Sequence, residues 1–300
     1  EEQQFNVFKF LLVAALNYNL VRFDSNGNRV WEANNSSIVY TTAIDKAGNT
    51  YIGTGDNKVK KLDINGNEIW TFNGHTSTVY SLATDSNEYV YSGSWDNTVK
   101  KIDPFGNEVW TFTGHTGRVY GVAVDSNGNV YSITNNETIK KVGPDGSQLW
   151  SKQPFTDNPQ TIAIDYNDEY LYVSERHNER IHKIRTDNGN TETTGNWHIT
   201  NHIDEALDIA IDPNTGDMYS GGRDNMVKKF DVVSGEEIKS EEWPFTDFTD
   251  RVQGIAVDSH SNVYICSIDN TIKKVDKYGR KLWSFDGSPN NFRSVSVYEQ

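Results

Sequence analysis

The chain repeats itself. Laid end to end, blocks such as "VYSLATDSNEYVYSGSWDNTVKKIDPFGNEVW" and "VYGVAVDSNGNVYSITNNETIKKVGPDGSQLW" recur with a period of about 40 residues, and a period of that length implies stacked or radially arranged units. Six copies are contiguous. A seventh is divided: the N-terminal "VFKFLLVAALNYNLVRFDSNGNRVW" lacks a first strand, and "NFRSVSVYEQ" at the other end matches that missing strand.

Three columns hold across the copies. An Asx residue marks one hairpin turn: Asn17, Asp56, Asp96, Asn136, Asn178, Asp224 and Asp269. Asx side chains bond the backbone two residues on and tolerate left-handed conformations. A glycine marks the next turn, at Gly27, Gly66, Gly106, Gly146, Gly189, Gly235 and Gly279, where positive φ is required. A tryptophan closes each unit: Trp31, Trp70, Trp110, Trp150, Trp197, Trp243 and Trp283. Each copy therefore reads as four short strands, a to d. A single unit of this size cannot bury both faces, whereas a ring of them packs sheet on sheet. The expected fold is all-β, a seven-bladed β-propeller of four-stranded antiparallel blades closed by strand exchange between the termini. The expected blades are approximately 38–78, 79–118, 119–158, 159–204, 205–250 and 251–290, with a split blade from 1–37 plus 291–300.

Composition narrows the function. The chain has 28 basic and 42 acidic residues, a formal charge of −14 and 12% aromatic residues. Binding along a nucleic-acid backbone needs a concentrated basic surface, so a nucleic-acid partner is not expected. One cysteine, Cys266, excludes an intramolecular disulfide and a cysteine-based zinc site. The apolar stretch at residues 7–16 is preceded by "EEQQFN" and is too short to span a bilayer, so it reads as a buried strand, with no membrane insertion.

The blade "NGHTSTVYSLATDSNEYVYSGSWDNTVKKID" resembles a WD-repeat, with Gly-His pairs at Gly74–His75 and Gly114–His115 and the turn aspartate at Asp96. The tryptophan that ends strand c in that family is replaced by Leu62, Ile102 and Val142. "LDINGNEIW" is similar to the turn-and-tryptophan motif of quinoprotein-type propellers, and "YLYVSERHNERIHKI" is similar to an NHL repeat. The WD resemblance implies that the b–c and d–a loops share one face, which is the partner-binding face.

Candidate chemistry is absorbed by the repeat. His198 and His202 have the spacing of two metal ligands on a helix, but His202 falls where His115 falls after its tryptophan, so no metal site is expected. "DSNGN" and "DINGNE" place glycine fourth instead of sixth and read as hairpin turns, not calcium loops. No Ser/His/Asp series and no phosphate-binding glycine loop stands apart from the blades. No cofactor and no catalytic residue is expected. Arg22, Lys61, Lys101, Lys141, Lys183, Lys229 and Lys274 form a strand-c column whose stems cover blade edges.

The informative column is the one that varies. Immediately before the constant Asx stand Leu16, Gly55, Trp95, Asn135, His177, Arg223 and Ile268. A turn that must fold identically but shares no chemistry is not dictated by the fold. Gly55, Trp95, Asn135, His177, Arg223 and Ile268 are thus the expected partner-binding residues, with Trp95 as the anchor. A second asymmetry lies in length: the tryptophan spacing rises at Trp197 and Trp243, with extra residues at 186–197 and 232–243. Propellers host enzymes, lectins and scaffolds alike. The expected function is a non-catalytic platform for binding or assembling another protein. The alternatives are a virion or cell-surface accessory protein that binds a receptor or surface glycan, and a quinoprotein-like cofactor-dependent enzyme. An extracellular or virion-associated setting is favoured. Separate, similar aromatic pockets favour a glycan; one contiguous patch around Trp95 favours a protein partner.

Overall fold

The computed structural model describes residues 10–15, 18–177, 180–192, 204–286 and 291–298. Its strands form antiparallel sheets in chain order. β4–β7 are Val39–Ile44, Thr50–Thr54, Val59–Leu62 and Glu68–Phe72. β8–β11 are Val79–Thr84, Val90–Ser94, Val99–Ile102 and Glu108–Phe112. β12–β15 are Val119–Val124, Val130–Thr134, Ile139–Val142 and Gln148–Lys152. β16–β18 (Pro159–Ile164, Tyr170–Glu175, Ile181–Arg185) and β19–β21 (Ala206–Ile211, Met218–Gly222, Val227–Phe230) follow. β22–β25 are Val252–Val257, Val263–Ser267, Thr271–Val275 and Lys281–Asp286. One further sheet is composite, with order β26-β1-β2-β3 from Phe292–Tyr298, Phe10–Ala15, Asn19–Phe23 and Arg29–Asn34.

The expectation of seven four-stranded blades closed by strand exchange is corrected on this count. Six blades are continuous in the chain, two of them have three strands among the described residues, and the remaining sheet combines segments from both ends. The physical reason is visible at β21. Its outer neighbour touches it in isolated bridges, Phe230↔Glu237 and Val227↔Phe245, because the segment between them is longer than its counterpart from Glu68 to Phe72 in β7. The surplus bulges into solvent at the sheet edge instead of lengthening a turn. Ile238 N still donates to Lys229 O at 2.8 Å, and Trp243 keeps the inter-sheet bond of its column. The 193–203 part of the other lengthened repeat, with Trp197, His198 and His202, lies outside the described residues, as do Leu16, Asn17 and Asn178.

Packing explains the columns. The second strand of each continuous blade is buried on both faces, as in TYIGT, VYSGS and VYSIT, apart from the first residue of β17. That is the burial expected of a strand sandwiched between neighbouring sheets. In four of these blades its tyrosine bonds the aspartate just after the first strand: Tyr51 to Asp45, Tyr91 to Asp85, Tyr131 to Asp125 and Tyr264 to Asp258, at 2.9–3.0 Å. The strand-c lysines lay their ammonium groups over these rings, Lys61 at 5.1 Å from the Tyr51 centroid and Lys141 at 5.0 Å from that of Tyr131. Each described closing tryptophan then donates its indole N–H to a carbonyl of the next sheet's turn: Trp31 to Ile64, Trp70 to Pro104, Trp110 to Pro144, Trp150 to Thr186, Trp243 to Lys277 and Trp283 to Ser25, at 2.9–3.2 Å. Sheets are thus linked by the column that the sequence shows as constant.

Candidate functional site

The described b–c turns share one backbone arrangement. The residue at the tip donates its N–H to a carbonyl in the loop leading into strand a: Gly55 to Ile38, Trp95 to Thr78, Asn135 to Arg118, Arg176 to Asn158, Arg223 to Glu205 and Ile268 to Arg251. This bond fixes the backbone and leaves the side chain free to vary. It also corrects one position. In β16–β18 the equivalent of Trp95 is Arg176, because Glu175 pairs with Pro159 as Ser94 pairs with Val79; His177 is one residue further along a longer turn. His177 is exposed, with Nδ1 2.9 Å from Asp157. Arg223 Nε lies 2.6 Å from Glu205, Asn135 is exposed, and Ile268 is half-buried. Left-handed φ falls on the residue after the constant Asx, at Asn57, Asn97, Asn225 and Asn270. The Asx side chain serves another purpose.

At Asp96 that purpose is a buried network. Asp96 accepts from His75 Nδ1 at 2.8 Å, Thr76 N at 2.9 Å, Thr98 N at 3.0 Å and Thr98 Oγ1 at 2.6 Å. His75 Nε2 meets Ser92 Oγ at 2.7 Å. This is a Ser–His–Asp series in space that no local motif announces, since its members lie on separate segments. Ser92 is fully buried and His75 nearly so, so no substrate carbonyl reaches the hydroxyl and the series ties the entry loop to the sheet. The network forms although Ile102 stands where a WD-repeat has its tryptophan.

Burial works to raise the Asp96 pKa, but hydrogen bonds from His75, Thr98 and Thr76 override it and hold the carboxyl well below the usual range. An Asp96→Asn protein is therefore expected to lose about 1.5–3 kcal/mol at neutral pH, as charge-assisted bonds become neutral ones. A carboxylate whose folded pKa is depressed contributes fully above its unfolded pKa of about 3.9 and less as pH falls through the folded value. Denaturant melts should show the gap between the two proteins narrowing below that pH. A gap constant from neutral pH to pH 2 contradicts the assignment.

Trp95 itself is half-buried and packs on Tyr40, Tyr80 and Tyr120, which stand at the mouth of a central channel lined by the first strands of every sheet. It stacks on Tyr80 at 5.3 Å and 21°, and lies 6.0 Å from both Tyr40 and Tyr120. The Arg118 guanidinium sits 5.0 Å over the indole, and Arg293 sits 4.4 Å over Tyr40. The Trp95 indole N–H is buried with no hydrogen-bond partner. Tyr40, Tyr80 and Tyr120 occupy the second position of strand a, where the other sheets carry Gln160, Leu207, Gln253 and Arg293. The sequence contains this column too, but reading the loop tips alone misses it. Three neighbouring sheets thus supply one continuous aromatic surface, and three of the four other positions are polar.

Below the mouth is a cavity of about 130 Å³ lined by Thr41, Ser81, Thr161, Asp208 and Ser294. Ser81, Thr161, Asp208 and Ser294 bond between sheets. Ser81 Oγ accepts from Val122 N at 3.0 Å, and Asp208 accepts from Ile255 N at 2.8 Å. Burial pushes the Asp208 carboxyl up to about 6, against the hydrogen bonds it receives. Among the described residues no group of three or more His, Cys, Asp or Glu is placed to hold a metal ion.

Two family models match parts of the chain. Residues 66–103 match the WD domain, G-beta repeat, and this span contains His75, Ser92 and Asp96. Residues 95–213 match the outer membrane protein assembly factor BamB, a span that contains Trp110 and Trp150 with their bonds to the next sheet. Comparison with curated proteins gave no match. The chain is a β-propeller whose repeats combine WD-like with quinoprotein-like features.

Proposed function

We propose that the protein is a non-catalytic platform that binds another protein through the channel mouth, with Trp95 as the anchor. The observation that carries this reading is contiguity: Trp95, Tyr40, Tyr80 and Tyr120 form one patch across neighbouring sheets. A glycan-binding propeller with one site per blade would repeat similar pockets, whereas here the aromatic column stops after three sheets. Tryptophan and tyrosine set beside arginine are the side chains that most often dominate protein interfaces. The family model matched over 95–213 is named for an assembly factor, which is consistent with a binding role. Gly55, Asn135, Arg176, Arg223 and Ile268 form the surrounding rim.

Trp95→Ala should fold normally, since the indole N–H bonds nothing and the residue is only half-buried. It should weaken a captured partner about thirtyfold, or ~2 kcal/mol. The check is a binding titration of that partner against both proteins, with thermal melts as the control for folding. Equal affinities, or a variant that does not fold, count against the anchor.

A further inference from the structure

The sheet β12–β15 departs from its neighbours at a second place, on its outer edge. In β8–β11 two side chains close the corresponding region. Asp96 takes the His75 Nδ1 bond, and Glu108 accepts from Lys100 Nζ at 2.9 Å. In β12–β15 the same register positions hold Asn136 and Gln148. Each exchange moves the local charge one unit in the positive direction, in a chain whose formal charge is −14.

The consequences are structural. Asn136 turns aside, donating from Nδ2 to Thr116 Oγ1 at 2.7 Å and receiving the Thr134 hydroxyl. His115 keeps Ser132 Oγ at 2.7 Å from Nε2, but its Nδ1 is buried without a hydrogen-bond partner, and the residue is only 6% exposed. Lys140 Nζ meets the neutral Gln148 Oε1 at 2.9 Å, and Lys152 Nζ meets Asn190 Oδ1 at 3.2 Å. Phe112 packs edge-on against the His115 ring, 5.4 Å between centroids, as Phe72 does against His75 at 6.3 Å. A cavity of about 280 Å³ opens there, lined by His115, Thr116, Lys140, Ser151, Lys152 and Gln153 among others, with no carboxylate in its lining.

We propose that this cavity binds an oxyanion of the phosphate or sulfate type. Lys140 supplies the charge, and the His115 Nδ1–H with the Thr116 and Ser151 hydroxyls supplies directional donors. The tautomer follows from the sister site. His75 Nδ1 faces a carboxylate, which only accepts, so the proton is on Nδ1 and Nε2 takes the serine hydroxyl. His115 presents the same Nε2–serine contact. Burial, with Lys140 adding to it, pushes the His115 imidazole down to about 3, so it stays neutral and keeps one N–H to donate. A tetrahedral oxyanion answers the Lys140 ammonium and an orphaned buried donor at once, and a buried donor is costly to leave unpaired. The cavity is larger than one such ion, so it admits either the free ion with water or an ester carried on a larger molecule.

The test is calorimetric titration at low ionic strength with inorganic phosphate, inorganic sulfate and a short phosphoserine peptide. Asn136→Asp combined with Gln148→Glu restores the pattern of β8–β11 and should fold, because the neighbouring sheet folds with those residues. We expect binding by the unaltered chain and at least tenfold weaker binding by the double variant. A preference for phosphoserine supports an esterified ligand; a preference for the inorganic ion supports a free one. No binding by any of the three, or equal binding by the double variant, overturns the proposal. The site is independent of the channel mouth, so Trp95→Ala should bind the anion as the unaltered chain does.

Discussion

Removing β26 prevents recovery of a cooperatively folded protein. Along its whole length β26 pairs with β1, from Phe10↔Tyr298 to Ala15↔Phe292, so its loss leaves an open sheet edge, a template for aggregation. Phe292 and Val295 are buried with Phe23, Tyr264 and Cys266, and they leave a cavity there. Ser294 Oγ also sits 3.0 Å from Thr42 Oγ1 on β4, a contact between residues far apart in sequence. Losing a buried phenylalanine and a buried valine costs at least about 5 kcal/mol, against a total of about 5–15 kcal/mol for a typical domain. The measurement is soluble yield with thermal unfolding of a chain ending at residue 290. A truncated protein that melts with the full chain would show that β26 is dispensable.

Gly106→Val should cost about 3–5 kcal/mol although it lies far from the channel mouth. Gly106 has φ +89°, where a β-branched residue is strained by about 1–3 kcal/mol. Its added Cβ would also lie 2.9 Å from Trp70 Cδ2. That ring cannot move aside freely, because its indole N–H is bonded to Pro104 O at 3.0 Å, and displacing it forfeits about 1 kcal/mol for the bond alone. Gly216 separates the two effects. It has φ +77°, but the only neighbour within contact range is Val232 Cγ2 at 3.7 Å. Denaturant melts should find Gly216→Val harmed by strain alone and Gly106→Val by strain and collision together. Equal losses at the two sites would remove the tryptophan from the account.

How much of this was legible can be judged from the same residues. Gly106 and Trp70 each stand in a constant column, but that the tryptophan of one unit caps the turn of the next became visible only in three dimensions. Asp96 was read as a turn residue; its bonds to His75 and Thr76 join segments separated in sequence, which no local pattern encodes. Ladder pairing, not counting from the Asx, identifies Arg176 as the counterpart of Trp95, because the turn containing His177 is longer. The lengthened segment 232–243 contains both Ile238 and Trp243. Both keep their inter-strand or inter-sheet bonds, since an outer strand can bulge into water at little cost. The tyrosines of strand a were legible as letters. Their meeting with Trp95 depends on the radial arrangement of the sheets.

The central claim is that the channel mouth, not the opposite face, is where a partner sits. The opposite face offers its own exposed apolar residues, Phe105 and Val233, each 82% exposed, but they stand singly on separate sheets. The direct measurement is photo-crosslinking with benzoylphenylalanine placed in turn at Trp95, Tyr120, Phe105 and Val233, in the presence of the captured partner. The account predicts a discrete adduct from positions 95 and 120 and none from 105 and 233. Adducts confined to positions 105 and 233 would contradict it.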